Sequence, residues 1–187
     1  LNPIAAAGGL ARIVAASYQA VSGAGKRGVE TLSRETLNLL NMRVAADGGA
    51  EAVFPQRIAF NCIPQVDAFL ADGSTKEEAK VIAETRKVLH HDALPIAVTC
   101  VRVPTFYGHA VALTVETKRG LDAAEARRLL REAPGVLLCE DGSELAYPTP
   151  ADVGGTDAVY VGRVRDDPSH ACGLQLWVAA DNVRKGA

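Results

Sequence analysis

The sequence predicts an α+β fold: a mixed, largely antiparallel sheet with helices packed on one face. Two observations lead to this prediction. In the last third of the chain, strand-like segments rich in β-branched residues follow one another without a helix between them, which favours antiparallel pairing. Earlier, strand-like segments alternate with segments of helical periodicity. The 187 residues can bury one core, so residues 1–187 are expected to form a single domain.

The first elements are predicted to be a strand, a helix and a second strand. "RIVAASYQAV" (12–21) has the β-branched and aromatic content typical of a strand. Residues 28–40 then carry apolar side chains near helical spacing, at Val29, Leu32, Leu37 and Leu40. After a glycine-rich break, "RIAFNCIPQV" (57–66) is predicted to form another strand.

A second long helix is predicted to begin after Thr75. Glu78 follows three residues later, and this spacing is typical of a capping box, in which each side chain accepts a hydrogen bond from the other residue's backbone N–H. The expected buried stripe of this helix consists of Ala79, Ile82, Ala83 and Leu89.

The second half of the chain is predicted to be mostly strand. "TCVRVPTFYGHAVALTV" (99–115) has the composition of one long strand or a pair of strands. Asp122 and Glu125 then indicate a short helix that ends at "APG". Three further strands are expected at "VLLCE", "VYVGRVRDD" and "LQLWVAADN", separated by turns rich in Gly, Pro and Asp.

The composition argues against several classes of partner. The net charge of -2 and the pI near 6.1 give no electrostatic basis for binding nucleic acid or an anionic membrane. No apolar run is long enough to cross a bilayer. The four cysteines lack C-x-x-C spacing, so they are interpreted as buried free thiols in a reducing cytoplasm, and no metal site is predicted.

A glycine-rich motif follows the first predicted strand. "GAGKRG" (23–28) matches the dinucleotide fingerprint G-x-G-x-x-G, and Asp47 lies near the expected distance for the acidic partner. The alternating βαβ units of a nucleotide fold do not follow, so a glycine-rich turn between strand and helix is the favoured interpretation. A third interpretation remains, in which backbone N–H groups here touch part of a cofactor that another domain holds.

Arg102 and His109 are the polar residues that most need an explanation. Strict alternation places them on opposite faces, but Pro104 and Gly108 are expected to break the strand between them, after which both side chains could converge. The alternatives are an arginine paired with a carboxylate at a sheet edge and a histidine hydrogen-bonded in the core.

Three other polar residues are candidates for a site. Glu77 and Lys80 share a face in the first turn of the second long helix, either as a solvated ion pair or as ligands for an ammonium and a phosphate. Cys62 has no basic neighbour to lower the pKa of its thiol, so it is interpreted as an inert buried thiol.

Several motifs in register resemble the C-terminal region of the aspartate-semialdehyde dehydrogenases. They are "SYQAVSGAG", "IAFNCIPQVDAF", "TKEEAKVIAETRKVL", "TCVRVPTFYGHA", "YPTP", "VGRVRDD" and "LWVAADNVRKGA". The resemblance implies a domain like the C-terminal domain of glyceraldehyde-3-phosphate dehydrogenase. It also implies a homodimeric cytoplasmic enzyme that reduces L-4-aspartyl phosphate to L-aspartate 4-semialdehyde with NADPH, in the synthesis of lysine, threonine and methionine.

The resemblance also implies roles for individual residues. His109 would be the acid/base at the adduct oxygen, and Gln19 would help to orient the substrate. Arg102 would bind the substrate α-carboxylate with its planar guanidinium. Glu77 would bind the α-ammonium, and Lys80 would assist at the phosphate.

The same resemblance assigns cofactor contacts to Ser22, Gly23 and Asn182 and leaves two parts of the enzyme outside this sequence. The family's nucleophilic cysteine and its NADP-binding domain belong upstream of "SYQAVSGAG", and Cys62 cannot replace that cysteine. The chain is therefore expected to be a substrate-binding and dimerisation domain without turnover of its own. The alternatives are a non-catalytic dimerising paralogue and a related N-acetyl-glutamyl-phosphate reductase, against which the Glu77–Lys80 pair argues.

Overall fold

The computed structural model describes residues 1–43, 52–140 and 146–186. Within these ranges the chain forms five α-helices and six strands. The helices are α1 Asn2–Gly8, α2 Gly25–Leu40, α3 Lys76–Val88, α4 Ala123–Arg131 and α5 Asn182–Lys185. The strands are β1 Leu10–Gln19, β2 Ile96–Arg102, β3 His109–Thr117, β4 Val136–Cys139, β5 Val159–Asp166 and β6 Gly173–Ala180.

The six strands form one mixed sheet in the order β2-β1-β3-β6-β5-β4. The three central pairs, β1–β3, β3–β6 and β6–β5, are antiparallel, and the two outer pairs, β1–β2 and β4–β5, are parallel. The predicted α+β class with a largely antiparallel sheet is confirmed. The predicted helices at 28–40 and after Asp122 and the three late strands are also confirmed, whereas the short helices α1 and α5 were not predicted.

One face of the sheet, here called the covered face, carries the main core. Ile13 of β1, Val115 of β3 and Leu174 of β6 are each at most 2% exposed and pack with Ile4 of α1 and Leu130 of α4. Burying such aliphatic side chains contributes roughly 1.5–3 kcal/mol each. The predicted placement of helices on one face of the sheet holds for α1 and α4.

The opposite face, here called the open face, is half-exposed over the middle of the sheet. Its alternate positions are Val14, Ala16, Tyr18, Ala112, Thr114, Gln175 and Trp177. Tyr18 is 37% exposed, and its ring lies 5.4 Å from that of Trp177. The open face therefore combines apolar, aromatic and polar side chains, and no helix of the described chain covers it.

Residues 57–66 do not form the strand that their composition predicted. The backbone N–H groups of Ile58 and Ala59 donate to the Glu35 carboxylate on α2, at 2.9 and 3.0 Å, instead of to a strand ladder. Only Ile63 makes an isolated bridge, to Arg102. The segment instead forms a second apolar cluster with α2, built on Leu32 and Ile58. Tertiary packing here overrides β propensity.

Helix α3 begins as predicted but buries a different residue. Both hydrogen bonds of the capping box between Thr75 and Glu78 are present. The predicted stripe is wrong: Ala79 and Ala83 are exposed, and Ile82 and Leu89 are only half-buried. The helix meets the sheet through its first turn beside the edge strand β2, so its buried residue is Glu78.

Two further expectations concern the burial of the cysteines and the presence of a membrane-spanning helix. Cys100 and Cys139 are buried free thiols as predicted, but Cys62 is exposed and Cys172 is half-buried. The expectation for Cys62 is wrong because it lies in the turn segment, not in a buried strand. Among the residues that the structure describes, no helix combines the length and the apolar character needed to span a membrane.

Candidate active site

Three strand ends meet at one end of the sheet and bring the predicted site residues together. Gln19 is the last residue of β1 and pairs in register with Arg102, the last residue of the parallel strand β2. Strand β3 is antiparallel to β1 and begins there with His109. The break at Pro104 and Gly108 is confirmed, since β2 ends and β3 begins on either side of these residues.

The backbone of one alanine holds both reactive side chains. Ala20 is fully buried directly after β1. Its N–H donates to Nδ1 of His109 at 3.1 Å, and its carbonyl oxygen accepts a hydrogen bond from Nη1 of Arg102 at 2.8 Å. These opposite ends of one residue fix the relative positions of the guanidinium and the imidazole.

Gly23 leaves room in front of both groups. A Cβ atom on Gly23 would lie 2.9 Å from Nη1 of Arg102 and 3.4 Å from Nε2 of His109. The two nitrogens therefore cannot be further apart than the sum of these two short distances. Gly23 itself is exposed, whereas Arg102 and Nε2 of His109 behind it are buried. One small molecule could contact both side chains here.

Arg102 is a buried cation without an ion pair to any described residue. It is 7% exposed, and no described carboxylate oxygen lies within 4.0 Å of it. Burial lowers the pKa of Arg102, while the charges of Glu77 and Cys100 act in the opposite direction. Because a buried charge is costly unless it is paired, this guanidinium is suited to an anionic ligand. The alternative of an edge arginine paired with a carboxylate is thereby excluded for the described residues.

His109 is a half-buried neutral base, and one of its ring nitrogens has no partner among the described residues. Burial and, second, the positive charge of Arg102 lower its pKa to about 4, against the opposing effects of the Gly108 backbone and Asp181. Since Nδ1 accepts from the Ala20 N–H, the neutral ring carries its proton on Nε2. Nε2 is buried and has no partner among the described residues. This atom is therefore available to a ligand.

Glu77 joins the site through Gln19. The Gln19 side-chain amide donates at 3.3 Å to Oε1 of Glu77 and at 3.3 Å to the hydroxyl of Ser17. Oε2 of Glu77 lies 3.6 Å from Nζ of Lys80, whose side chain is 47% exposed. Glu77 thus lies on the inner side of the site and Lys80 at its rim.

Ser22 and Asn182 connect helix α5 to the site. Oδ1 of Asn182 accepts from the Ser22 hydroxyl at 3.1 Å and from the Gly108 N–H at 3.0 Å. This ties the start of α5 both to the turn that contains Gly23 and to the residue before His109. The structure thus brings all eight predicted site residues to this region, whereas their roles remain predictions.

The turn that leads into the glycine-rich motif binds its backbone N–H groups within the protein. The N–H groups of Val21, Ser22 and Gly23 donate to the carbonyl oxygens of Thr105, Phe106 and Ala20. They are therefore not free to bind phosphates, and the favoured interpretation of a glycine-rich turn is supported. Asp47 lies outside the described residues.

These residues fit only the reactive end of a cofactor. The bare Cα of Gly23 and the Ser22–Asn182 pair lie beside Arg102 and His109. A flat ring could approach a surface of this kind, whereas the diphosphate needs donors from elsewhere.

Sequence reasoning missed two contributors to the site. Ala20 acts only through its backbone, so no side-chain pattern indicates it. Glu78 was recognised only as a helix cap, and its second acceptor oxygen binds the N–H of Cys100 at 2.9 Å. The available signal in the sequence was a second acidic residue, Glu78, directly after the proposed ligand residue Glu77.

Comparison with known proteins identifies the family. Residues 1–185 match the family model described as "Semialdehyde dehydrogenase, dimerisation domain". The chain belongs to the semialdehyde dehydrogenase family. This match covers every strand of the sheet and all of the candidate active site.

Relatives of this family resemble the chain over its full length. It is 47% identical over 188 aligned residues to an aspartate-semialdehyde dehydrogenase of Legionella pneumophila, covering 100% of this chain and 53% of that relative. A relative of the same name from Aquifex aeolicus is 42% identical, with 54% of its length covered.

A solved structure supports the same relationship. The structure of Vibrio cholerae aspartate semialdehyde dehydrogenase II complexed with ASA aligns with a TM-score of 0.92 and 48% identity, covering 99% of this chain and 53% of that one. The α+β fold is therefore that of the semialdehyde dehydrogenase family. The chain spans about half the length of the relatives it matches.

Proposed function

We propose that this chain is the substrate-binding and dimerisation domain of a two-domain aspartate-semialdehyde dehydrogenase. The whole enzyme would reduce L-4-aspartyl phosphate to L-aspartate 4-semialdehyde and phosphate in the cytoplasm, on the route to lysine, threonine and methionine. The observation that carries this proposal is the meeting of an unpaired buried guanidinium and the free nitrogen of an imidazole beside Gly23. The names of its full-length relatives support the choice of reaction.

Arg102 and Glu77 would recognise the amino-acid end of the substrate. A guanidinium fork matches a carboxylate with two parallel hydrogen bonds, and Nε and Nη2 of Arg102 have no acceptor among the described residues. The Glu77 carboxylate would bind the α-ammonium, with Gln19 holding its Oε1 in place. An N-acetylated substrate has no such ammonium, so the N-acetyl-glutamyl-phosphate reductase alternative is not favoured.

His109 and Lys80 would act at the reacting end. The Nε2 proton of neutral His109 would be donated to the oxygen of the adduct that the enzyme thiolate forms, and Nε2 would take a proton back in the reverse direction. Lys80, at the rim, would contact the phosphate. The thiolate and most of the NADP site would come from the nucleotide-binding domain, and bound NADPH would supply the hydride. Ser22, Gly23 and Asn182 would contact the reactive end of that cofactor.

The open face would hold the second subunit of a homodimer. No helix of the described chain covers it, it includes the Tyr18–Trp177 ring contact, and the matched family model is described as a dimerisation domain. Stable dimers bury apolar surfaces of this kind.

Three small ligands test the proposed recognition. L-aspartate carries the α-carboxylate and the α-ammonium, succinate lacks the ammonium, and β-alanine lacks the α-carboxylate. Calorimetric titration of the chain should rank L-aspartate first and β-alanine last, since β-alanine has a single carboxylate, which is not on the carbon that carries its ammonium as the two groups proposed for Arg102 and Glu77 are. Equal affinity for L-aspartate and β-alanine would contradict the proposal.

A further inference from the structure

Glu78 is a buried acidic residue that binds two backbone N–H groups from different elements. It is 9% exposed. Its Oε2 accepts from Thr75 N–H at 2.7 Å, at the start of α3, and its Oε1 accepts from Cys100 N–H at 2.9 Å, in β2. One carboxylate thus joins the first turn of the helix to the edge strand.

This joint lies between the two groups proposed to bind the amino acid. Glu77 precedes Glu78 on α3, and Arg102 follows Cys100 by two residues on β2. Successive helix residues point about 100° apart, so Glu78 faces the strand while Glu77 reaches Gln19. The position of Glu77 relative to Arg102 therefore depends on the contact that Glu78 makes.

The outer edge of β2 offers no substitute for this contact. The N–H and C=O of Arg102 are already paired with Ile63, at 2.8 and 2.9 Å. Cys100 is fully buried, so its N–H would lose its acceptor if Glu78 withdrew. An unpaired buried donor is costly, so the helix and strand should adjust their spacing to avoid one.

We propose that Glu78 is a positioning residue that sets the spacing between Glu77 and Arg102 and so determines preference for a ligand with an α-ammonium over one without. This inference rests on the proposed function, in which Glu77 binds the ammonium and Arg102 the carboxylate. Glu78 itself does not touch the ligand.

The test substitution is Glu78→Gln. The amide keeps one acceptor oxygen but places an NH2 group against the second backbone N–H, so one of the two bonds is lost. The preference for L-aspartate over succinate, measured as the ratio of their Kd values, should fall about tenfold. The Kd of succinate itself should change little, because Arg102 stays bonded to Ala20. Glu78→Asp, which keeps the charge but is one methylene shorter, should also lower the ratio.

Glu35→Gln is the matched control. Glu35 is another carboxylate that accepts two backbone N–H groups, from Ile58 and Ala59, but its helix α2 carries neither Glu77 nor Arg102. Its substitution should lower stability in a similar way and leave the Kd ratio unchanged. A ratio that falls equally in both variants would reduce the role of Glu78 to general stability and overturn the proposal.

A double-variant cycle shows whether Glu78 acts through Glu77. In a Glu77→Gln background the ammonium partner is already lost, so adding Glu78→Gln should not lower the ratio further. An additional fall as large as that in the unmodified chain would contradict the proposal.

A ligand-free measurement separates this inference from the proposed function. The side-chain NH2 resonances of Gln19 report its bond to Glu77. Glu78→Gln should shift them clearly more than Glu35→Gln does. Equal shifts would overturn the proposal. If instead Glu78→Gln shifts them but the unmodified chain binds L-aspartate and succinate equally, Glu78 does position Glu77 and the proposed ammonium role of Glu77 is the part that fails.

Discussion

The two faces of the sheet show how one strand can carry two different tasks. On the covered face, β1 places Ile13 and Ala15 in the core and then Ser17 and Gln19 at the approach to the site. On the open face, the alternate residues stay apolar up to the exposed ring of Tyr18. The side chains on the covered face of β1 thus change from apolar core residues to polar residues, while those on the open face stay partly exposed.

This comparison shows that moving one residue along the strand changes the environment of the side chain and therefore its role. Successive strand residues point to opposite faces, so neighbours in the sequence belong to separate environments. Ligand binding and self-association should therefore respond to different substitutions, even at adjacent positions of β1.

The largest expected effect comes from charging each face in turn. Ala15→Arg places a cation in the main core, where Ala15 is 9% exposed, and should cost more than about 4 kcal/mol and prevent folding. Ala16→Arg, one residue later on the open face, should leave a folded chain that binds L-aspartate normally.

Sedimentation and circular dichroism measure this pair of variants. Ala16→Arg should sediment as a monomer under conditions in which the unmodified chain sediments as a dimer. A folded dimer for Ala16→Arg would show that the open face is not the contact surface.

The second-largest effect is expected when Arg102, the proposed ligand for the substrate carboxylate, is substituted. Arg102→Ala removes the buried guanidinium and should weaken L-aspartate binding by roughly 2–5 kcal/mol. Arg102→Lys keeps the charge but loses the fork and should recover only part of the binding. Calorimetry measures both variants. The oligomeric state should not change, and a monomeric Arg102→Ala variant would mean that the two faces are coupled.

A smaller effect is expected from filling the space in front of the site. Gly23→Ala would place a methyl group 2.9 Å from Nη1 of Arg102 and should weaken ligand binding by roughly 1–3 kcal/mol. Gly25→Ala is the control, because Gly25 has a φ of 71° but no neighbouring atom within 4 Å. It should reduce stability and leave ligand affinity unchanged. A Gly23→Ala chain with normal affinity would place the ligand elsewhere.

The smallest effect is a change in the titration of His109. Its pKa is lowered to about 4, first by burial and then by the charge of Arg102. This is below the ordinary value of 6.5, so the folded chain binds fewer protons than the unfolded chain, and His109 favours unfolding as the pH falls from 6.5 toward 4.

Succinate should reverse part of this shift. A bound carboxylate would offset the charge of Arg102 and raise the pKa of His109, as followed by NMR of its ring protons. In Arg102→Ala the pKa should already be higher, and succinate should not change it. If saturating succinate leaves the pKa of His109 in the unmodified chain unchanged, the ligand does not bind near His109.

Strand β1, the start of α3 and the break before His109 could be predicted because each follows from a local pattern. The failures have non-local causes. Residues 57–66 look like a strand, but the Glu35 carboxylate on α2 accepts hydrogen bonds from the N–H groups of Ile58 and Ala59. The stripe of α3 failed because the helix meets an edge strand through its first turn. No local pattern indicates that the backbone of Ala20 holds two distant side chains.

A crystal structure of the chain with L-aspartate tests the central claim most directly. We expect one carboxylate within hydrogen-bonding distance of Arg102, the ammonium against Glu77, and the other end of the ligand near Nε2 of His109. A ligand bound away from Arg102, or a guanidinium that turns to pair with a protein carboxylate instead, would contradict the account.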